Sequence, residues 1–434
     1  MKTLNIALLG LGTVGGGTAT IIKNNSHDIN TRSGMRIHIK KALVREADKE
    51  KACAEYEGSF VDTITTDVDD ILNDPDIELV VEVMGGIDTA RRYVTRALSN
   101  GKHVVTANKD LLAVHGSELF ALAARNGLDL GFEASVAGGI PIIATLQQTL
   151  AANRIESLLG IVNGTTNYIL SEMTSQGRTF SDVLAEAQGL GYAESDPTSD
   201  VGGLDAARKL AILSSLAFNC QVSLDDIHVE GITNITPEDI AYASELNCVI
   251  KLLAIANRQP EGVAVKVHPA LIPVTHPLAS VDDVFNAVYV VGDAVGETMF
   301  YGRGAGSMPT GSAIVADIMQ TARRIATAST GTLFPQYYNK TPIIPLDEQT
   351  TGFYIRLKVL DEPRVFANLA LFFAEADISF SSIIQKPRRN NRAEVVFITH
   401  PCQEARMRKA LAALESYPKL EKVYNLIRIE NREI

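Results

Sequence analysis

The chain has 434 residues, of which 46% are hydrophobic and 21% charged, and 40 Lys+Arg against 51 Asp+Glu leave a formal net charge of −11. This composition excludes a disordered chain, and an acidic balance without a basic arm speaks against a nucleic-acid binder. No apolar run approaches the ~18 residues of a membrane helix, and the N-terminus enters a strand pattern in place of a signal peptide.

Dividing the length by ~150 residues predicts about three domains. Residues 1–137 alternate strands over 5–9, 36–44, 79–83, 103–106 and 128–132 with helices over 13–23, 89–99 and 116–126. Such alternation implies βαβ units and a doubly wound parallel sheet, an α/β domain of the Rossmann type. Residues 138–308 mix helices over 140–152, 180–190, 205–218 and 237–248 with strands over 154–162 and 263–269 and a hairpin over 289–301. This is expected to be a mixed α+β catalytic domain. A helix over 310–328, within 309–330, is expected to return to the first domain, and the Gly-, Pro-, Asn- and Gln-containing stretch 331–351 reads as a linker. Residues 352–434 run strand, helix, strand, strand, helix, strand, the βαββαβ order of a ferredoxin-like unit. Four scattered cysteines, Cys53, Cys220, Cys248 and Cys402, form no metal or disulfide pattern and read as reduced thiols of a cytoplasmic protein.

Gly10-Leu11-Gly12-Thr13-Val14-Gly15 fits G-x-G-x-x-G directly after a strand and at the start of a helix. In that context it predicts a dinucleotide site. A helix N-terminus offers unpaired N–H groups and a positive dipole to a pyrophosphate, and glycine lets the backbone approach it. The second strand ends in Val44-Arg45-Glu46. Arginine there suits a 2′-phosphate, so Arg45 tilts the expectation to NADP(H) over NAD(H). Glu46 keeps NAD open, and a plain surface arginine is the other reading. Glu82, Gly85 and Gly86 follow one buried strand and Thr106-Ala107-Asn108-Lys109 another, at carboxyl ends where open α/β sheets place ligands. Lys109 is either a cation facing that crevice or an exposed lysine at a helix start.

Glu194-Ser195-Asp196-Pro197 leads through Asp200 into a helix near Asp205. Asp205 and Lys209 are four apart and share a helix face with Ile212, Leu213 and Leu216, while Ala207, Ala211 and Ser214 lie opposite. The pair is therefore expected on the apolar side, in place of a solvated ion pair. Burial lowers a lysine pKa and nearby carboxylates raise it, so Lys209 suits a general acid/base. Glu194, Asp200 and Asp205 offer an anionic wall to a substrate ammonium. The stretch Glu133 to Pro141 either only bends the chain or holds a hard monovalent cation by oxygen ligands.

Gly10–Gly15, Thr106–Lys109, Asn163-Gly164-Thr165-Thr166-Asn167-Tyr168, Glu194–Pro197 and Asp205-Ala206-Ala207-Arg208-Lys209 together closely resemble homoserine dehydrogenase, in the expected order over nearly the whole chain. Gly302-Arg303-Gly304-Ala305-Gly306 is similar to that family's glycine-rich return to the cofactor site. The resemblance implies NAD(P)-dependent interconversion of L-homoserine and L-aspartate 4-semialdehyde, on the route to threonine, isoleucine and methionine. It implies that Lys209 is the acid/base and that Lys109 lies near the reacting oxygen and the nicotinamide. Glu194 and Asp205 would hold substrate with Asp200 in support. Gly10, Gly12, Thr13, Val14, Gly15, Arg45, Lys109 and Gly306 would meet the cofactor. Glu133 with the carbonyls of Val136, Gly138 and Ile140 would hold sodium or another monovalent cation.

Residues 352–434 resemble an ACT domain, a module that often binds amino acids and pairs with its own copies, which implies a homodimer or homotetramer. Its usual glycine after Asp-x-Pro is replaced by Arg364, which puts threonine as an effector in question. Two rivals remain: an aspartate-semialdehyde dehydrogenase, for which no cysteine fits as nucleophile, and a non-catalytic amino-acid sensor, which the presence of both lysines disfavours. A fused kinase part is not expected, since the dinucleotide motif stands at the start of the chain.

Overall fold

Short apolar runs suit strands covered on both faces by helices, and the first sheet has six strands, not all of them apolar throughout: β1 (Thr3–Leu9), β2 (Arg36–Leu43), β3 (Thr63–Thr65), β4 (Leu79–Glu82), β5 (His103–Thr106) and β6 (Leu130–Gly131). In the computed structural model, which describes residues 1–331, 341–388 and 391–430, these strands are all parallel in the order β3-β2-β1-β4-β5-β6. That is the doubly wound dinucleotide-binding order, with its reversal between β1 and β4. Leu4, Ile6, Leu8, Leu79 and Val81 are fully buried in the core beneath it. The chain divides into two units. The first comprises Met1–Ile155, Arg208–Leu224 and Asn286–Lys340; the second comprises Glu156–Ala207, Asp225–Phe285 and Thr341–Ile434.

In the first unit the helix Thr13–Asn24 follows β1, and the helix Ser307–Ala326 packs against it. Glycines permit that close approach. A Cβ on Gly17 would lie 2.3 Å from the Ser307 carbonyl oxygen, and one on Gly311 2.9 Å from the Thr18 nitrogen. The expected helix over 140–152 is instead one short turn, Ile142–Ala144, continued by a π-helical turn, Thr145–Thr149. The hairpin expected over 289–301 is longer, pairing Phe285–Gly292 with Gly296–Arg303.

The second unit carries a mixed sheet. The strand Ile155–Ile161 pairs antiparallel with Cys248–Gln259, which pairs with Gly262–Pro273 through twelve residues. Cys248 was expected to end a helix, but that helix stops at Glu245, Asn247 turns left-handed (φ 53°), and Cys248 opens the strand. Beyond it Thr350–Leu360, Val365–Glu375, Phe380–Arg388, Arg392–Thr399, Glu404–Glu415 and Leu420–Ile429 give the βαββαβ order, with a two-residue strand, Cys402–Gln403, before the last helix. The sheet order places the fourth long strand beside the first, then the third, then the second. Leu420–Ile429 joins Gly262–Pro273 in parallel at Ala270 and Leu271. Charge reinforces the join: Arg356 Nε lies 2.7 Å from Asp239 Oδ1, and Arg428 Nη1 lies 2.9 Å from Glu230 Oε2. Of the expected linker, residues 332–340 lie outside the described residues. Among the described residues no helix is long and apolar enough to cross a membrane.

Candidate functional site

The turn after β1 uses its three glycines in different ways. Gly10 has φ 107°, a conformation that favours glycine, and its Cβ would lie 3.0 Å from the Val83 carbonyl oxygen. A Cβ on Gly15 would lie 2.2 Å from the Gly10 carbonyl oxygen, so that position lets helix and turn meet. Gly12, by contrast, faces open space, with nothing within 4 Å of a Cβ. It is the N-cap of the helix Thr13–Asn24 and supplies no side-chain cap, so the first N–H groups of the helix are available to an anion.

These groups open on a cavity of about 1050 Å³ lined by Gly10, Gly12, Thr13, Arg45, Met84 and Ser307, among others. Val83 and Met84 bring the end of β4 to the end of β1, the position at which such sheets receive ligands. Arg45 lines the cavity and Glu46 does not; the Arg45 guanidinium is exposed and lies 2.7 Å from Asp48 Oδ2. Val14 and Gly15 belong to the packed side of the turn and not to the lining. Gly306 (φ 124°) caps the helix Ser307–Ala326 and so delivers Ser307, whose hydroxyl donates to the Thr13 carbonyl (2.7 Å). Ser307 was missed from sequence; its nearness to Thr13 comes from a contact 294 residues long.

Glu82, fully buried, organises the neighbouring turns: its carboxylate accepts from the Thr106 hydroxyl (2.7 Å) and the Met84 N–H (2.9 Å). Burial pushes its carboxyl above the ordinary value against these hydrogen bonds. Asn108 accepts from the Leu111 N–H and donates to the Gly86 carbonyl, starting the helix Lys109–Arg125. Lys109, half-buried, is its first residue. The next residue, Asp110, pairs with Arg208 (Nε–Oδ1 3.0 Å), which brings the residues neighbouring Lys109 and Lys209 together. Lys209 is half-buried on the helix Leu204–Phe218. The expected contrast between faces of that helix is absent: Ala207, Ala211 and Ser214 are as buried as Leu213. Lys209 therefore sits on a helix that is buried nearly all round, with no single apolar stripe to mark its face.

In the second unit Asp200 and Asp205 meet at one amide: Asn163 Nδ2 donates to Asp200 Oδ1 and to Asp205 Oδ2, both at 2.8 Å. Asp205 is 6% exposed. Glu194 is exposed, on the loop whose carbonyl accepts from Gln188 (3.1 Å). Thr165 donates to the Tyr192 carbonyl (2.7 Å), tying this loop to the helix Gly164–Gln176. Asn163 was overlooked as a site residue, although Asn before Gly-Thr-Thr is an N-cap signal.

The Glu133 carboxylate is buried and hydrogen-bonded. Its two oxygens accept the Ile143 and Ala144 N–H groups at 2.7 Å each, capping the short helix there. Each carboxylate oxygen keeps a lone pair beyond its N–H partner, and the loop's backbone oxygens also suit a hard cation. The loop is tightly turned, with Ala137 at φ 55° and Gly138 at φ 53°, and a Cβ on Gly138 would lie 2.4 Å from the Gly304 carbonyl oxygen. Among the described residues no group of three or more His, Cys, Asp or Glu is arranged to hold a metal.

The Glu133 N–H donates to Asp317 Oδ2 (2.8 Å). Burial, then the Glu133 charge, pushes the Asp317 carboxyl up to about 8 from 3.8. The folded state thus holds a proton that the unfolded state has lost, so Asp317 weakens the fold progressively as pH rises from about 4 to about 8. Asp317→Asn is expected to gain Tm over the parent chain by an amount that grows between pH 5 and pH 8. A difference that does not vary with pH would contradict this assignment.

A family model described as "Homoserine dehydrogenase" matches residues 141–319, and one described as "Homoserine dehydrogenase, NAD binding domain" matches residues 10–133. A relative from Bacillus subtilis (strain 168) named homoserine dehydrogenase is 45% identical over 434 residues, covering 99% of both chains. The crystal structure of a homoserine dehydrogenase from Thiobacillus denitrificans superposes with a TM-score of 0.93 at 44% identity over 99% of each chain. A hyperthermophilic archaeal homoserine dehydrogenase solved in complex with NADPH gives a TM-score of 0.63 at 26% identity, over 74% of this chain and 98% of that one.

Proposed function

The chain belongs to the homoserine dehydrogenase family, oxidoreductases that act on a CH–OH group, and from that premise we propose how its residues interconvert L-aspartate 4-semialdehyde and L-homoserine, with NADPH preferred over NADH. The proposed place of the reaction is the route to threonine, methionine and isoleucine. Residues 10–133 form a nicotinamide-nucleotide binding domain. The observation that carries the cofactor reading is the uncapped helix start at Gly12 opening on a cavity that Arg45 also lines.

Gly10, Gly12 and Thr13 would receive the pyrophosphate on backbone N–H groups, and Arg45 would pair with a ribose 2′-phosphate. Bound there, the nicotinamide supplies the hydride in reduction and takes it in oxidation. Negative charge then grows on the aldehyde oxygen. Lys209 gives that oxygen a proton and recovers it in the reverse direction, while the Lys109 cation stabilises the same charge. Glu194 and Asp205 hold the substrate ammonium, supported by Asp200. A monovalent cation at the 136–140 turn would be held by Glu133 with the carbonyls of Val136, Gly138 and Ile140.

Losing one charge-assisted hydrogen bond removes ~1.5–3 kcal/mol, so Arg45→Ala is expected to lower the NADPH-over-NADH preference by about tenfold to a hundredfold. An unchanged ratio removes Arg45 from cofactor selection.

We assign residues 352–434 the part of an ACT-like effector module in a homodimer or homotetramer, with threonine as the effector. Arg364 stands at φ 71° before the helix Val365–Glu375, a left-handed conformation suited to the glycine that usually follows Asp-x-Pro. Activity that stays constant through a threonine titration disposes of threonine as effector.

A further inference from the structure

We propose that Asn163 is a positioning residue for the substrate carboxylates: its amide clamps Asp200 and Asp205 and so sets the direction in which each meets the substrate. This rests on the proposed substrate role of those two residues. Asn163 itself is 6% exposed and uses its whole amide group. The Oδ1 oxygen accepts from the Thr166 N–H and the Thr166 hydroxyl, both at 2.9 Å, as the N-cap of the helix Gly164–Gln176. That cap locks the side chain, so the two Nδ2 hydrogens are aimed, one at Asp200 Oδ1 and one at Asp205 Oδ2.

The geometry joins three elements. Asp200 lies on the short helix Thr198–Val201, Asp205 on the helix Leu204–Phe218, and Asn163 at the start of a third. The link between the two acids has little freedom. A Cβ on Gly202 would lie 2.6 Å from the Thr198 carbonyl oxygen, and Gly203 adopts φ 85°. The other Asp200 oxygen lies 3.3 Å from the Thr165 hydroxyl, whose shorter contact is the Tyr192 carbonyl. Two carboxylates held near one another repel, and the shared neutral amide offsets this by giving each one a donor without adding charge. An N-cap requires only an acceptor; Ser, Thr and Asp serve equally well there. The donors on Asn163 are therefore not explained by capping, and they go to the two acids alone.

Two substitutions separate the roles because both keep a capping oxygen. Asn163→Ser removes both amide donors and leaves one shorter hydroxyl, and Asn163→Asp replaces them with a third carboxylate. In the full-length enzyme, Asn163→Ser is expected to raise KM for L-homoserine about tenfold or more, the size of one charge-assisted hydrogen bond. The NADP+ dissociation constant is expected to stay unchanged, with kcat falling less than KM rises. Asn163→Asp is expected to raise KM further. An unchanged KM for homoserine in Asn163→Ser, or a parallel loss of NADP+ affinity, overturns the proposal. Asp205→Asn keeps the two readings apart. If it leaves homoserine KM unchanged, the substrate role of the acids fails and this inference with it. If it raises KM while Asn163→Ser does not, Asn163 alone is removed.

Discussion

Lys209→Ala is expected to lower kcat for homoserine oxidation by about 10²–10⁴-fold, the usual contribution of a positioned general acid or base, with little change in NADP+ affinity. The expectation follows from where the side chain sits. Lys209 is half-buried on a helix whose other residues are mostly buried, and it follows Arg208, which an ion pair with Asp110 ties to the start of the Lys109 helix. A half-buried lysine contributes less to packing than the fully buried residues of the same helix. The variant should therefore fold and bind cofactor while losing the proton transfer. Lys209→Arg is expected to be nearly as slow, because a guanidinium keeps the charge but does not give up its proton at working pH. Steady-state rates with a fluorescence titration of NADPH check both variants, and a Lys209→Ala enzyme of near-normal turnover removes the residue from the chemistry.

The glycine turn gives the second large effect, and it separates binding from folding. Gly12→Val is expected to keep the parent Tm, since nothing lies within 4 Å of the new Cβ. Its side chain fills the approach to the helix N–H groups, so NADPH affinity is expected to fall about a hundredfold, roughly two lost anion hydrogen bonds. Gly15→Val is expected to lose stability as well, because its Cβ would lie 2.2 Å from the backbone oxygen of Gly10, which at φ 107° has no easy way to move. Overpacking of this kind costs ~1–3 kcal/mol or more. Thermal melts beside NADPH titrations distinguish the two. Equal Tm losses would show that Gly12 is a packing residue, not part of an open anion site.

How much of this was legible in the chain depends on how local each signal is. The parallel strands Leu79–Glu82 and His103–Thr106 stood out because sheets covered on both faces need unbroken apolar runs. The Gly10–Gly15 turn was equally plain, since strand, glycines and helix are contiguous. The helix Ser26–Ser33 was overlooked because its residues are polar and only Ile29 and Ser33 are buried. The strand Cys248–Gln259 was overlooked because its apolar run follows directly on a helix, and only the left-handed Asn247 marks the break. The site shows the same division. Lys109, Lys209 and the carboxylates lay in recognisable local motifs. The partners that hold such groups are remote: Ser307 meets Thr13, Asp317 meets Glu133 across 184 residues, and Asn163 meets Asp205 across 42. Glu133 is a further case: its carboxylate accepts from the Ile143 and Ala144 N–H groups, in a helix that begins nine residues later.

The initial rate of reduced-nicotinamide oxidation with L-aspartate 4-semialdehyde, compared between NADPH and NADH and with the product identified, tests the account most directly. L-homoserine formed in equal amount to the NADPH consumed, at a kcat/KM well above that with NADH, is the predicted result. An aldehyde left unreduced by either cofactor, or a faster reaction with NADH, would contradict it.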